Sequence, residues 1–583
     1  MRWQPLAAAL AALCAATVAG GQSPVAGLAG GDLAGGAADL FGGIRGSELR
    51  CNFIYAAPTG ARSVMEGRLI RDAWPAGPLR LYLKAVDDDF EGQCAIAVLL
   101  NGRELFAGKS GFPDKGWQVR SWPIPDGLLK PGDNTLRIEN REPEGRVGMP
   151  PWFMVARCAV APPGFVFRRD LARDFRVAIP ASWRPFPRPL PAGVEPGFAV
   201  RGIKGWMWRP EQYLAEIPWL VKGRMNFLMN CYASMFDVEH YPFGDGRSNR
   251  WWEPLPAAKR RAYEGVMRKC AAAGIAFCFS MNPNLSSARP LDYAKTADLE
   301  ALWSHYAWAQ SRGVRSFNVS LDDISQGIDP SGQARVVNEL TRRLKRKDPG
   351  ARMIFTPTIY WGDGSDPAER TYLQTLAREL DPDVRLFWTG AGVVGGITRK
   401  AAEAYGAAAG HKLFIWDNYP VNDNTPTMHL GPLVNRDADL CRAAEGYMSN
   451  SMCTQNEANR LPMLTCAEYA YNPAAYDPEE ALGQALLLCA DSRPQADCLR
   501  RLVEAYPGFL LYAPPSTSTN PVRDRFVKLI ALPQGRSAAE AYTDASGRLL
   551  RDLGRLFPGR YRAERRTLAA DVAFMRGALA AEP

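Results

Sequence analysis

Two rhythms of apolar residues run along the chain, and one gives way to the other near residue 200. Between about 48 and 160, apolar and polar positions alternate in short runs. Examples are Leu79-Arg-Leu-Tyr-Leu-Lys, Ala95-Ile-Ala-Val-Leu-Leu and Asn134-Thr-Leu-Arg-Ile-Glu-Asn. A period of two marks strands with one buried face. Asn101-Gly102 signals a hairpin turn and Lys130-Pro-Gly-Asp a second turn. The pattern predicts a β-sandwich over 48–160. Residues 161–197 carry Pro162, Pro163, Pro180, Pro185, Pro187, Pro189, Pro191 and Pro196. Proline fixes φ and offers no backbone donor, so this stretch reads as a linker.

After the linker, short apolar strands alternate with amphipathic helices. The strands are Gly202-Ile-Lys-Gly-Trp, Met225-Asn-Phe-Leu-Met-Asn-Cys-Tyr, Ile275-Ala-Phe-Cys-Phe-Ser-Met, Ser316-Phe-Asn-Val-Ser-Leu, Arg352-Met-Ile-Phe-Thr-Pro-Thr-Ile-Tyr, Val384-Arg-Leu-Phe-Trp-Thr, Lys412-Leu-Phe-Ile-Trp-Asp and the shorter Gly446-Tyr-Met-Ser-Asn. Helical runs lie between them, such as Glu211 to Val221, Ala257 to Ala273, Leu299 to Arg312, Gln333 to Lys347 and Arg370 to Leu380. Near-continuous apolar strands mean a parallel sheet covered on both faces. Eight such units predict a (β/α)8 TIM barrel over 198–455. The open doubly wound alternative needs a Gly-rich phosphate turn after its first strand, and Gly205-Trp-Met-Trp-Arg is not one. Helical periodicity in 456–583 predicts a closing helical domain. The chain is thus expected to be multidomain, with a sandwich, a barrel and a helical domain in that order.

The N-terminus changes the picture of where the protein works. Arg2 and the apolar run Leu6 to Val18 read as a cleavable signal peptide over 1–20, which predicts a secreted or periplasmic protein. The run is too short to span a bilayer, and no later segment approaches a transmembrane helix. Cys14 lacks the small residue before it that a lipid anchor requires. Gly- and Ala-rich residues 21–45 read as a mobile leader. Twelve cysteines, one of them in the signal peptide, leave an odd number after its cleavage. Cys158 could reach Cys51 or Cys94, and sequence cannot assign the pairs.

The net charge of +9 is dispersed, its densest cluster (Arg342 to Lys347) falls on a predicted helix, and no nucleic-acid motif is present. The four histidines are isolated and no cysteine spacing suits zinc, so neither a metal nor another cofactor is expected. Sixteen tryptophans offer flat faces on which sugar rings stack, although most will belong to the core.

Barrel enzymes carry their chemistry at the C-terminal ends of the strands. Here those ends hold Gly205 and Trp206, Asn230 and Tyr232, Asp322-Asp323, Tyr360, Trp388 and Thr389, Trp416-Asp417-Asn418 with Asp423 beyond, and Asn450. Such groups buried without partners cost several kcal/mol, on the order of 2–7. They fit a polar pocket better than a core. Asp322-Asp323 is the focal pair, because two adjacent carboxylates cannot ionise equally easily and one becomes a proton donor beside an anion. The competing reading is a helix N-cap.

At these residues the chain resembles the family 84 glycoside hydrolases, the O-GlcNAcase-like β-N-acetylglucosaminidases. The resemblance spans roughly 200–470. It rests on Gly205 with Arg209-Pro210, Trp251-x-Glu-Pro-x-Pro, Leu321-Asp-Asp-Ile, Pro357-Thr-Ile-Tyr, Phe387-Trp-Thr-Gly followed by Val393-Val, Trp416-Asp-Asn-Tyr-x-x-Asn-Asp, Leu430-Gly-Pro, and Met448-Ser-Asn with Glu457-Ala-Asn. It implies removal of β-linked N-acetylglucosamine, or a related N-acyl hexosamine, by substrate-assisted retaining catalysis through an oxazoline. On that reading Asp322 steers the acetamido N–H and Asp323 is the acid and then the base. Tyr360 supports the acetamido oxygen and Trp416 lines the pocket. Asn418, Asp423 and Asn450 hold hydroxyls, and Gly205 lets the backbone approach the ring. The implied partner is a glycan or glycoprotein carrying N-acetylhexosamine. The sandwich, for its part, is similar to the jelly-roll modules often joined to carbohydrate-active enzymes.

The chain departs from the family after strand two, where a Tyr-Ala-Pro-Lys-Asp-Asp segment with a hydroxyl-binding lysine is replaced by Asn230-Cys-Tyr-Ala-Ser-Met-Phe. After strand one, Glu-Gly-Phe-Tyr-Gly becomes Lys204-Gly-Trp-Met-Trp. Lys204 is a candidate replacement cation, but alternation predicts that it points away from the pocket. Two alternatives stay open: a degenerate barrel that binds glycan without cleaving it, and an endo-acting hexosaminidase of hyaluronidase type.

Overall fold

The computed structural model of the chain describes residues 26–29, 33–35, 52–71, 73–87, 92–113, 118–146, 151–165, 177–235, 249–285, 287–324, 328–423, 427–508, 520–532 and 535–581. The signal peptide expected over 1–20, with Cys14, lies outside these residues, as does Cys51.

The first part is a sandwich of two five-stranded antiparallel sheets. Its strands are β1 (Ala26–Ala29), β2 (Leu33–Gly35), β3 (Asn52–Tyr55), β4 (Val64–Arg71), β5 (Arg80–Val86), β6 (Ala95–Leu100), β7 (Arg103–Lys109), β8 (Gln118–Pro123), β9 (Gly132–Asn140) and β10 (Trp152–Ala161). One sheet runs β1-β10-β5-β8 with β3 also on β10, and the other β2-β4-β9-β6-β7. The alternating runs supply its core, with Leu81, Leu83, Ile96, Val98 and Phe153 between the sheets. The turn at Asn101-Gly102 has φ of 52° and 78°, the left-handed pair that a tight hairpin requires. The segment 21–45 is not wholly a leader: β1 and β2 pair with β10 and β4. Edge pairing is a backbone property, which composition does not reveal. Cys158 carries a free, buried thiol on β10.

Eight parallel strands then close a barrel: β11 (Val200–Gly205), β12 (Phe227–Met229), β13 (Ala276–Met281), β14 (Ser316–Ser320), β15 (Arg352–Thr356), β16 (Arg385–Trp388), β17 (Leu413–Pro420) and β18 (Ala444–Ser451), with β18 paired to β11. The near-continuous apolar strands serve two shells. Outward residues such as Ile203, Phe279, Val319, Leu386 and Ile415 pack with Leu302, Leu340 and Leu376 from the surrounding helices. Inward residues such as Phe227, Met229, Cys278, Ile354, Phe387 and Met448 fill the interior. The ring comprises α1 (Pro210–Lys222), α2 (Ala257–Ala272), α3 (Thr296–Ser311), α4 (Pro330–Lys347), α5 (Pro367–Glu379), α6 (Arg399–Ala409) and α7 (Arg460–Tyr471).

A second helical core follows, built by α8 (Pro478–Cys489), α9 (Arg493–Ala505), α10 (Pro521–Ile530), α11 (Gly535–Leu556) and α12 (Arg562–Ala581) around Leu486, Leu499, Phe526, Leu553 and Leu568. The proline-rich stretch has no regular structure where it is described, yet it is fastened down. Arg184 pairs with Glu468 and Glu480, and Phe186 is buried in the helical core. The sandwich is joined to the barrel in two ways. Tyr55, Val86 and Met154 belong to the barrel's own apolar core. Arg62 reaches Asp363 and Ser365 in the loop after β15, with Arg62 Nη2 donating to Ser365 Oγ at 2.8 Å. None of the described helices is long and apolar enough to cross a membrane.

Candidate active site

Several of the polar groups expected at the strand tips gather at the barrel mouth around Asp322 and Asp323, just past the end of β14. Asp322 is 3% exposed. Its Oδ2 accepts a hydrogen bond from Tyr232 Oη at 2.6 Å, and its Oδ1 accepts one from Asn282 Nδ2 at 3.2 Å. Asp323 is the exposed member of the pair, and its Oδ1 accepts from Tyr360 Oη at 2.7 Å. Asp323 has φ of 55°, a left-handed conformation that lets successive carboxylates point into one concavity instead of to opposite faces.

Burial pushes the Asp322 carboxyl up to about 6, and the neighbouring charge of Asp323 pushes the same way. Lys204 and the Tyr232 hydroxyl oppose that push. Asp323 is also raised, by its dense surroundings, against the pull of Tyr360 and Lys204. The pair therefore holds a proton at mildly acid pH that belongs to both groups jointly. Asp423 lies across the mouth, also with a left-handed φ, of 44°. Burial and then the charge of Asp323 raise it to about 6.

The other expected residues form one wall. Trp416 is buried, its indole edge-on to Phe387 at 5.3 Å. Its Nε1 donates to Asn418 Oδ1 at 2.9 Å, and Asn450 Nδ2 donates to the same oxygen at 2.9 Å. Asn418 Nδ2 is given to the Val393 carbonyl at 2.8 Å. Two donors thus occupy Asn418 Oδ1, whereas the buried Asn450 Oδ1 has no partner among the described residues.

Two expectations from β11 fail together. Gly205 was expected to admit a sugar, but a Cβ there would overlap the Trp208 ring in the outer shell. The tryptophan accounts for the glycine. Lys204, expected to face away, points into the barrel. Its Nζ lies 3.8 Å from the centroid of the Trp416 ring, 4.6 Å from Trp206 and 4.8 Å from Tyr232. The parity of the strand is offset by one residue, which exchanges the two faces. The same parity takes Asp417 out of the pocket. Asp417 is fully buried in the outer shell, where it accepts Arg436 Nε at 2.8 Å, Arg436 Nη2 at 2.5 Å and Tyr447 Oη at 2.7 Å.

The hydrogen-bonding roles of Tyr232 and Asn282 on Asp322 were not read from sequence. Asn282-Pro-Asn284 does follow the third strand, and a run of amides at a strand end is the same signal that drew attention to Asn450. Among the described residues no group of three metal-ligating side chains is gathered.

The geometry amounts to an adjacent carboxylate pair, each member held by a tyrosine, facing an aromatic and amide wall with a lysine at its base. A family model described as beta-N-acetylglucosaminidase matches residues 200–504, which takes in the barrel and α7 to α9. The solved structure of CpGH84B is similar at 19% identity and a TM-score of 0.53, covering 73% of this chain and 70% of that one. A mutant O-GlcNAc hydrolase of Thermobaculum terrenum is similar at 21% identity and a TM-score of 0.54, covering 66% and 84%.

Proposed function

The chain belongs to the β-N-acetylglucosaminidase family, the family 84 type of glycosidase, and from that premise we propose that it releases β-linked N-acetylglucosamine, or a related N-acyl hexosamine, with retention through an oxazoline. The observation that carries this reading is the adjacent Asp322–Asp323 pair at the mouth, each carboxylate accepting from a tyrosine hydroxyl.

The carbonyl oxygen of the substrate's own 2-acetamido group attacks the anomeric carbon as the bond to the aglycone oxygen breaks. Asp322 accepts the acetamido N–H, which sharpens that oxygen as a nucleophile. The same contact holds Asp322 ionised and leaves the pair's proton on Asp323, whose openness to the mouth suits delivery to the leaving oxygen. The raised pKa of Asp323 favours the protonated form that such an acid needs. Asp323, now ionised, takes a proton from the water that attacks the anomeric carbon, and the oxazoline reopens to the free sugar. Tyr360, hydrogen-bonded to Asp323, supports the acetamido oxygen on this reading. Trp416 walls the ring, and Asn418, Asp423 and Asn450 present amide and carboxylate groups to its hydroxyls.

The proposal also places the protein outside the cytoplasm, acting on glycans there, on the strength of the apolar run Leu6 to Val18. Turnover of an aryl β-N-acetylglucosaminide by wild type and by Asp323→Asn tests the mechanism. Removing a general acid costs on the order of 100- to 10,000-fold in kcat, less for a good leaving group. Equal rates in the two proteins would take Asp323 out of the mechanism.

A further inference from the structure

Lys204 lies near the end of β11 with none of its surface exposed. Its Nζ has no hydrogen-bond partner among the described residues. Three aromatic faces, of Trp416, Trp206 and Tyr232, surround it instead. Such faces stabilise a cation through the ring quadrupole but occupy none of its N–H bonds. An ammonium carries three donors and no acceptor. Buried charges are ordinarily paired and hydrogen-bonded, and this one is neither. Burial lowers the Lys204 pKa, and the charges of Asp322, Asp323 and Asp423 oppose that push.

One further group is left open nearby, and a carboxylate faces the same cation. Asn450 is the β18 residue directly paired with Lys204 across the β11–β18 ladder, and its Oδ1 is buried without a partner. Asp423, which interacts electrostatically with Lys204 across the mouth, is raised by burial and has the left-handed backbone already noted. A cationic donor beside two acceptors is the complement of a hydroxyl group, which both accepts and donates.

We propose that Lys204 is a substrate-binding and specificity-determining residue, whose ammonium donates to a ring hydroxyl or hydroxymethyl oxygen of the bound hexosamine while Asn450 or Asp423 accepts that hydroxyl's proton. The proposal rests on the reading above that the occupant is an N-acyl hexosamine. In this chain the first strand supplies the cation, and the aromatic cage fixes its position so that no carboxylate collapses onto it. Charge balance is a second consequence: Lys204 offsets part of the negative charge of the three carboxylates, which loss of the hydroxyl contact alone would leave intact.

The test is a cycle between Lys204→Met and the 3-, 4- and 6-deoxy analogues of an aryl β-N-acetylglucosaminide. With the parent glycoside, Lys204→Met lowers kcat/KM by roughly 10- to 150-fold, the effect of one charge-assisted hydrogen bond. One deoxy analogue suffers a comparable loss with wild type, and on that analogue Lys204→Met costs no more than a few-fold further. The same loss on the parent and on all three analogues overturns the proposal and makes Lys204 a counter-cation only. No loss on the parent overturns it as well. If Lys204→Met does not fold, Lys204→Gln carries the same cycle. If wild type leaves the parent glycoside intact, it is the hydrolase reading that falls. The cycle is then read on the Kd of N-acetylglucosamine and its deoxy analogues by calorimetry, with the same outcomes deciding.

Discussion

Removing a single oxygen, in Tyr232→Phe, isolates the electrostatic half of the proposed mechanism. The Tyr232 ring stays against Trp206, at a centroid distance of 6.3 Å, and against Lys204, so packing is preserved. What disappears is the hydroxyl donated to Asp322 Oδ2 at 2.6 Å. Burial, with the charge of Asp322 as the next cause, holds the Tyr232 hydroxyl well above its usual pKa, so it is a neutral donor throughout the working range. A hydrogen bond to a charged group contributes about 1.5–3 kcal/mol. At 1.36 kcal/mol per pKa unit, its loss raises the intrinsic pKa of Asp322 by about 1–2 units from its value of about 6. The sign follows from which state the bond favours. The donor stabilises the ionised carboxylate, so its deletion penalises every state in which Asp322 is an anion, the active singly protonated pair included. On the acid side, where both carboxyls are protonated, kcat/KM falls by the full roughly 10- to 150-fold. On the alkaline limb, where both are ionised in the resting enzyme, the penalty falls equally on resting and active states and the two proteins converge. The optimum therefore moves to higher pH as it drops. The assay is discontinuous hydrolysis of an aryl β-N-acetylglucosaminide from pH 4 to pH 9, each sample stopped in alkali before reading, with thermal melts as the control for folding. A loss of equal size at every pH, or one concentrated at high pH, would refute the reasoning.

Asp322→Asn is expected to stabilise the fold while abolishing turnover. A buried carboxyl whose pKa rises from 3.8 to about 6 favours folding below the lower value and loses that advantage as pH climbs through the higher one, a swing of about 3 kcal/mol. The variant should melt above wild type at pH 8 and level with it at pH 4, and a lower melting temperature at pH 8 would contradict the burial argument. Arg436→Met takes the cation from Asp417 in the outer shell and leaves it the Tyr447 hydroxyl, at a place where the Arg436 and Asp417 side chains are 2% and 0% exposed. A loss of about 3–5 kcal/mol in urea unfolding is expected, and a loss under 1 kcal/mol would mean that water reaches Asp417.

The barrel was legible because its strands must satisfy two shells, and only a parallel sheet covered on both faces produces such unbroken apolar runs. The aspartate pair was legible for a related reason: no core explains adjacent carboxylates at a strand tip. Lys204 and Gly205 were misread as a unit. One residue of error in parity sends a lysine outward and a glycine inward, and strand β11 offers little to fix its phase, because Ile203 is apolar on one face and Gly202 and Gly205 carry no side chain to assign either. The tie from Tyr232 and Asn282 to Asp322 spans 90 and 40 residues of sequence, a separation at which local pattern is silent. The strands β1 and β2 escaped notice because Gly- and Ala-rich edges pair through backbone alone.

The sharing of Tyr55, Val86 and Met154 with the barrel's apolar core bears on how the molecule can be cut. An excised barrel beginning near Val200 would keep all eight strands and carry a raw, greasy scar where three side chains had been torn from its packing. The loop between Tyr360 and α5 would lose its Arg62 clamp at the same stroke. A barrel freed of its front module would need polar side chains on the surface that Tyr55, Val86 and Met154 now cover.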